Sequence, residues 1–221
     1  MDTPLDIFRK GRLAQVRNAL EHNGFEAFVQ GSAAAARDFV VTELLPKLMD
    51  EDKATTASFG GSMSLVDSGL YEAVKSHPDL RVLDTYDTSI PRYEVLDMRR
   101  RALLVDVFIT GTNAVTESGK LVNLDGTGNR VAALAFGPRH VIVLAGRNKV
   151  VPSVVAAMAR IRDWAAPVNA ARLERKTPCV KTLHCEDCSS PDRICNVWSI
   201  IEKSWPKGRI KIVLVDEDLG F

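Results

Sequence analysis

The chain has 221 residues and a mass of 24.3 kDa, which fits one large domain more simply than two small ones. Hydrophobic residues make up 46% and charged residues 26%, and the formal net charge of +1 gives no reason to expect a nucleic-acid or anionic-membrane partner. No stretch is long and apolar enough to cross a bilayer, and the N-terminus lacks the apolar core of a signal peptide, so we expect a cytoplasmic protein.

The N-terminal segment, about residues 1–24, is predicted to be helical. Leu13, Val16 and Leu20 recur at the spacing of one helix face. Because a glycine weakens a helix interior, Gly11 argues against one continuous helix over this whole segment.

Short apolar runs and helical patterns then alternate along the chain. Pro46 is expected to kink or end the helix that begins at Ala33, because proline has no backbone N–H to donate. The predicted strands span 25–29, 55–59, 80–83, 105–109, 141–144 and 210–215, and the predicted helices span 33–45, 63–76, 93–101, 127–135 and 153–164. Strands that alternate with helices form βαβ units, so we predict an α/β domain with a mostly parallel sheet.

Ligands of such sheets bind beyond the carboxyl ends of the strands. This rule points to the loops that follow Phe59, Ile109 and Leu144, and all three contain glycine.

The first of these loops contains Gly60, Gly61, Ser62 and Ser64. Two glycines let backbone amides approach a ligand closely, and the start of a helix favours an anion. The loop is therefore a candidate cradle for a phosphate or carboxylate. A tight strand-to-helix turn with Ser62 as its N-cap explains the same residues equally well.

The second loop, 110–130, carries unlike polar side chains around three turns. Residues 115–124 are predicted to form a hairpin with Glu117 near its tip, and a carboxylate in a partly dry pocket can act as a base or nucleophile. Arg130 can bind a carboxylate or phosphate through two hydrogen bonds. Ordinary turns are also rich in Asn, Asp and Gly. The predicted catalytic residue is Glu117, and the predicted ligand-binding residues of this loop are Gly111, Thr112, Asn113, Asn123, Asp125, Gly126, Thr127, Asn129 and Arg130.

Basic residues occur at two further places of interest. Lys149 follows the third loop and can add a positive charge to the same pocket, although a single lysine is more often a surface residue. Arg99, Arg100 and Arg101 form the one notable basic run, and a solvated helix face explains it more simply than a phosphate site.

All four cysteines, Cys179, Cys185, Cys188 and Cys195, fall in a Cys-rich insertion at about 176–197. Four thiolates can complete a tetrahedral zinc site or an iron–sulfur cluster, and the inner Cys-x2-Cys lets two sulfurs reach one centre. The spacing matches neither the bacterial ferredoxin run nor a two-knuckle zinc ribbon. We favour an iron–sulfur cluster of the 4Fe–4S type over zinc, and both over disulfides, which are rare in cytosolic proteins.

Four stretches resemble the LUD-domain family of lactate-utilisation proteins. They are 110–130, GRNKVVP at 146–152, SPDRICN at 190–196 and VDEDLGF at 215–221. The resemblance implies a single Rossmann-like, three-layer domain over 1–221, related to ribose-phosphate isomerases, glucosamine-phosphate deaminases and CoA transferases. CoA transferases use a Glu nucleophile, and this is a second reason for choosing Glu117.

Three functions compete on this basis, and whether the chain is an enzyme stays open. We favour a component of lactate or related organic-acid utilisation, with a small anionic metabolite in its pocket, iron–sulfur redox chemistry and iron–sulfur partner proteins. The second is an isomerase, transferase or hydrolase acting on a phosphorylated or CoA-linked metabolite. The third is a non-catalytic subunit whose cysteines hold a structural zinc ion.

Overall fold

The computed structural model describes residues 3–221, except for the side chain of Arg92, so the first two residues of the predicted N-terminal helical segment lie outside the described range. The helices are α1 (Pro4–His22), α2 (Ala33–Phe39), α3 (Leu45–Glu51), α4 (Met63–Asp67), α5 (Leu70–Lys75), α6 (Arg92–Arg101), α7 (Asn129–Ala135), α8 (Val154–Arg160), α9 (Ala166–Arg172) and α10 (Cys179–Thr182). The strands are β1 (Glu26–Gln30), β2 (Thr56–Phe59), β3 (Arg81–Leu83), β4 (Val107–Gly111), β5 (Ala114–Thr116), β6 (Leu121–Asp125), β7 (His140–Gly146), β8 (Val150–Val151), β9 (Val197–Ile201) and β10 (Ile210–Val215).

Six parallel strands form the central sheet in the order β1-β10-β7-β4-β2-β3. β4 and β10 are buried along their whole length because helices cover both faces of the sheet. Successive side chains point to opposite faces, so Val107 and Ile109 pack with α2 to α5, while Phe108 packs with α1 and α7. The predicted α/β fold with a mostly parallel sheet is confirmed.

A second, smaller sheet has the order β8-β5-β6-β9. The predicted hairpin is its centre, since β5 and β6 pair antiparallel. Val115 and Leu121 pack into the core beneath α1, whereas Ala157 and Ile161 of the α8 segment cover the other face. The sequence patterns did not predict β9, whose side chains are mostly half-exposed and give no alternating signal.

Two long helical segments continue past a proline. A π-turn, Val40–Leu44, joins α2 to α3 just before Pro46, and a second, Ile161–Ala165, joins α8 to α9 just before Pro167. A π-turn shifts each hydrogen bond to the carbonyl five residues back, which absorbs the missing donor and the ring bulk of proline. Of the two outcomes expected at Pro46, a kink or a helix end, the helix end does not occur, and a π-turn lies just before the proline. The second segment runs to Arg172 instead of ending at Trp164.

Two glycines act differently from expectation. α1 runs without a break through Gly11, with Thr3 and Asp6 forming a reciprocal capping box at its start. Gly69, by contrast, adopts a φ of +73° and divides the helix predicted over 63–76 into α4 and α5. None of the described helices combines the length and the apolar character needed to cross a membrane.

Candidate functional site

A cavity of about 490 Å³ lies where the loops after β2, β4 and β7 meet. These three strands are neighbours in the sheet, so their carboxyl ends share one edge. The predicted ligand-binding residues that line this polar cavity are Gly61, Ser62, Gly111, Thr112, Asn113, Asp125, Gly126, Thr127, Asn129, Arg130 and Lys149. Gly60, Ser64 and Asn123 contact lining residues instead. The volume lies within the roughly 300–1,000 Å³ that small-molecule sites occupy.

The lining of the polar cavity is rich in positive charge. Among the described residues that line it, the basic ones are Arg99, Arg130, Lys149, Arg172 and Arg175, and the acidic one is Asp125. Walls that carry one sign of charge raise the local concentration of ligands with the opposite sign. The cavity is therefore suited to an anion.

The Arg130 guanidinium is buried beneath the cavity, and its N–H groups are already engaged. One terminal nitrogen donates to Asn123 Oδ1 at 2.6 Å, and the other donates to Asn113 Oδ1 at 2.8 Å and to the Leu124 carbonyl at 2.9 Å. Burial lowers the pKa of Arg130, and the Asp125 carboxylate, 3.8 Å from Nε, opposes that change. Arg130 thus holds the loops together and contributes charge, instead of offering the two free donors that the sequence suggested.

Several other polar groups of the 110–130 loop are also used within it, although Asn123 Nδ2 is buried without a hydrogen-bond partner among the described atoms. Asn123 Oδ1 accepts from Thr112 Oγ1 at 3.1 Å and from the Asn113 N–H at 3.2 Å. Asp125 Oδ2 accepts from the N–H groups of Arg130 and Val131, at 3.1 and 3.3 Å, and so caps the start of α7. The network gives the cavity a rigid floor.

The Gly-Ser loop after β2 is fixed by packing. A Cβ on Gly60 would lie 2.6 Å from Thr110 Oγ1 and 3.0 Å from Arg130 Cγ, so the glycine is needed for close approach inside the protein. The Ser62 N–H donates to the Tyr86 hydroxyl at 2.7 Å, and one amide of the predicted anion cradle is thereby occupied. The helix that follows, α4, has only five residues.

Lys149 is the one lysine of the cavity lining, and its side chain is buried. Only 4% of the residue is exposed, and Nζ donates to Ser64 Oγ at 2.7 Å. Burial, reinforced by Arg160 and Arg130, lowers the pKa of Lys149 to about 7, against a small opposing effect of Asp67. Lys149 forms no ion pair with any carboxylate in the described part of the chain. At neutral pH it is therefore only partly charged.

Glu117 lies outside the polar cavity. It follows β5 at the hairpin, where its carboxylate accepts from Arg12 Nε of α1 at 2.8 Å. The Glu117 side chain is 46% exposed, and its backbone N–H donates to the Val151 carbonyl. This placement gives no support to the predicted catalytic role, because the carboxylate is solvated and already paired.

The four cysteines line a second cavity, which we call the cysteine cavity. All four are free thiols and are half-buried. Its other walls include Ala166, Pro167 and Ala170 of α9. Burial raises the pKa of the Cys195 thiol, the other three cysteines add to the rise, and Arg193 opposes it.

The geometry of the four thiols bears on which metal group they suit. Within residues 3–221, no three His, Cys, Asp or Glu side chains converge closely enough to hold a single ion. A zinc ion needs all four sulfurs about 2.3 Å from one point. The cysteines instead surround a small cavity of about 20 Å³.

The two cavities share a wall. Ile194 lines both of them. One face of α9, with Ala166 and Ala170, borders the cysteine cavity, and another, with Asn169 and Arg172, borders the polar cavity. The predicted anion pocket and the predicted metal centre are therefore one layer of residues apart.

The profile of the LUD domain matches residues 13–215, nearly the whole chain. The chain belongs to the LUD domain family. Membership makes it a protein of the lactate-utilisation type in general terms. Among curated proteins, none matches the sequence significantly.

A solved structure supports the fold of this LUD domain. A DUF162 family protein from Deinococcus radiodurans superimposes with a TM-score of 0.50 at 15% identity, over 94% of this chain and 98% of that one. A 5-methylthioribose 1-phosphate isomerase from Pyrococcus horikoshii gives a TM-score of 0.32 at 13% identity, over 86% of this chain and 50% of that one.

Several lining residues of the LUD domain's polar cavity escaped the sequence analysis. Arg172 is the last residue of α9, and Arg175 lies just beyond it. Because the helix was expected to end at Trp164, the sequence analysis did not consider these two arginines. Arg99, assigned to a solvated helix face, donates to Thr127 Oγ1 at 3.0 Å beside the cavity, whereas Arg100 and Arg101 are exposed. Tyr86 comes from a loop with no motif that would single it out.

Proposed function

We propose that this LUD-domain protein binds a small organic anion in its polar cavity and carries a 4Fe–4S cluster on its four cysteines. It would act as a component of lactate or related organic-acid utilisation and exchange electrons with iron–sulfur partner proteins. The observation that carries the proposal is the cationic lining of the polar cavity, in which five basic residues face a single acidic one among the described lining residues.

The polar cavity offers an anion positive charge on two sides. Arg130 gives the floor a fixed positive charge, while Arg172 and Arg175 lie on the α9 side of the cavity. Arg175 also has a buried Nε without a hydrogen-bond partner among the described atoms. A buried donor of this kind is satisfied when a carboxylate binds next to it.

The cysteine cavity fits an iron–sulfur cluster better than a zinc ion. A 4Fe–4S cluster binds each thiolate through a different iron atom, and so it suits four sulfurs that surround a space instead of meeting at a point. When bound, such a cluster accepts or donates single electrons. Arg193 holds this segment together, because it donates to the carbonyls of Cys188 and Cys195 at 2.6 and 3.0 Å.

Metal and sulfide analysis of protein purified without oxygen tests the cluster. We expect iron and acid-labile sulfide in equal amounts, together with broad visible absorption. Stoichiometric zinc without colour would overturn this half of the proposal and favour the non-catalytic subunit with a structural clasp.

Calorimetric titration with L-lactate, pyruvate and inorganic phosphate tests the anion site. We expect binding of at least one carboxylate that weakens as salt is raised, because the attraction is largely electrostatic. Arg175→Met should weaken it at least tenfold, whereas Arg139→Met, a change at an exposed arginine outside the cavity lining, should leave it unchanged. Binding of phosphate alone would favour the enzyme acting on a phosphorylated metabolite.

A further inference from the structure

Lys149 reaches the polar cavity from a turn that is bound to the C-terminal segment. The turn, Arg147–Lys149, follows β7 directly. The Asn148 side chain locks it, since Oδ1 accepts from the Leu219 N–H and Nδ2 donates to the Gly220 carbonyl, both at 3.1 Å. The position of the amine is therefore set by the fold and does not depend on a flexible surface side chain.

The hydrogen bonds around the amine leave one side of it available. Ser64 Oγ lies 3.3 Å from the Leu219 carbonyl, to which it donates, so the same oxygen accepts from Lys149 Nζ at 2.7 Å. An ammonium ion has three donors, and Ser64 is the one acceptor that the described residues provide. A neutral amine is better satisfied here, because it keeps a lone pair that can face the cavity.

The charges around Lys149 also favour the neutral form. Arg160 is held nearby by its donors to the carbonyls of Asn148 and Asn113, at 3.1 and 2.9 Å. With Arg130 it places two fixed cations beside the amine, against the single carboxylate of Asp67. A desolvated lysine next to other cations is the arrangement that makes this side chain nucleophilic at neutral pH.

We propose that Lys149 forms an imine with the carbonyl group of a 2-oxo carboxylate bound in the polar cavity. This inference rests on the anion site proposed above and names its substrate class. The Nζ lone pair adds to the ketone carbon, and the carbonyl oxygen takes up a proton to give a carbinolamine. The carbinolamine then loses its hydroxyl group and the remaining N–H hydrogen as water, which leaves the C=N bond. Both amine hydrogens thus leave in the water, and no oxidant or reductant is needed.

The roles of the neighbouring groups follow from this assignment. Arg172 and Arg175 supply the positive charge for the carboxylate at the α9 side of the cavity. Ser64 is a positioning residue, since it touches the amine and does not line the cavity. Lys149 replaces Glu117 as the candidate nucleophile of the protein.

Borohydride trapping tests the proposal directly. The full chain is incubated with pyruvate, reduced with sodium borohydride, and analysed by mass spectrometry after digestion. We expect one adduct, with the mass of pyruvate less water plus two hydrogens, on the peptide that contains Lys149. Lys149→Met should abolish it, and Lys47→Met, a change at an exposed lysine, should retain it.

The trapping experiment separates the inference from the anion site. If calorimetry shows that pyruvate binds but no adduct maps to Lys149, the imine is refuted and the anion site stands. If pyruvate and L-lactate do not bind at all, the anion site itself fails. Because the mapping uses the unmodified chain, the result does not depend on whether Lys149→Met folds.

Two further readouts exclude a merely structural role for Lys149. The trapping rate should rise with pH through about 7, because only the free amine attacks. The charged groups that act on the amine are Arg160, Arg130 and Asp67. Ser64→Ala should keep the adduct at Lys149 and change its rate. An adduct spread over exposed lysines, with no pH midpoint, would overturn the proposal.

Discussion

The polar cavity and the cysteine cavity lie on either side of one wall but are built in different ways. Hydrogen bonds within the fold hold the floor of the polar cavity, as the contacts of Arg130 to Asn113 and Asn123 show. The cysteine cavity is lined by four thiols on a segment that contains a single helical turn, α10, and that Arg193 braces. The polar cavity is therefore formed by the chain itself, whereas the cysteine cavity would be completed by the cluster proposed for it.

The largest expected effect separates the two cavities. Cys188→Ser removes one of the four proposed cluster ligands, so we expect complete loss of iron, acid-labile sulfide and visible absorption. Anion binding should persist, because the basic lining residues come from other segments. Ser189→Ala, at the next position, is the matched control and should retain its iron. Unchanged iron in Cys188→Ser would contradict the cluster assignment.

Arg130→Met tests whether the polar cavity is as rigid as its hydrogen bonds suggest. The change leaves several buried oxygen atoms without their donor. Truncating one member of a buried charged network lowers the free energy of unfolding by about 3–5 kcal/mol. Urea denaturation of the two proteins measures this difference. Arg139→Met, at an exposed arginine, should change it by less than about 0.5 kcal/mol.

The sequence predicted the sheet well because its central strands are continuous apolar runs. β4, β7 and β10 were found within one or two residues of their ends, and the strand-end rule then directed attention to the loops that line the polar cavity. These features depend on local composition and on the geometry shared by parallel sheets. They need no knowledge of distant contacts.

The environments of single side chains could not be predicted in the same way. Glu117 meets Arg12 across 105 positions of the chain, and Lys149 meets Ser64 across 85. Whether a carboxylate is solvated or an amine is dry depends on such long-range packing, which no local pattern encodes. The π-turn before Pro167 also escaped the sequence analysis. It lets the helix continue to Arg172, which lines the polar cavity.

Lys149→Met tests how the buried amine of the polar cavity affects stability at different pH values. The folded protein protonates Lys149 only near pH 7, whereas the unfolded chain does so near the ordinary value of 10.5. Between these values the unfolded state binds more protons, so this residue lowers the stability of the wild type as pH falls. We expect Lys149→Met to gain on the order of 3 kcal/mol relative to the wild type between pH 9.5 and 7.

Urea denaturation of both proteins at the two pH values measures that gain. The difference between variant and wild type cancels the titration of the other lysines. Lys47→Met, at a lysine whose side chain is about half exposed, is the control with which that difference is compared. An equal result for the two variants would mean that Lys149 is charged in the folded protein.

The smallest expected effect concerns Glu117. Glu117→Gln breaks an exposed ion pair with Arg12, and such pairs contribute about 0–1 kcal/mol to stability. Arg12→Met removes the other partner and should have an effect of the same size. Because neither side chain lines the polar cavity, pyruvate binding and imine trapping should match the wild type in both variants. Loss of pyruvate binding or imine trapping in Glu117→Gln alone would show that the Glu117 carboxylate takes part in the reaction.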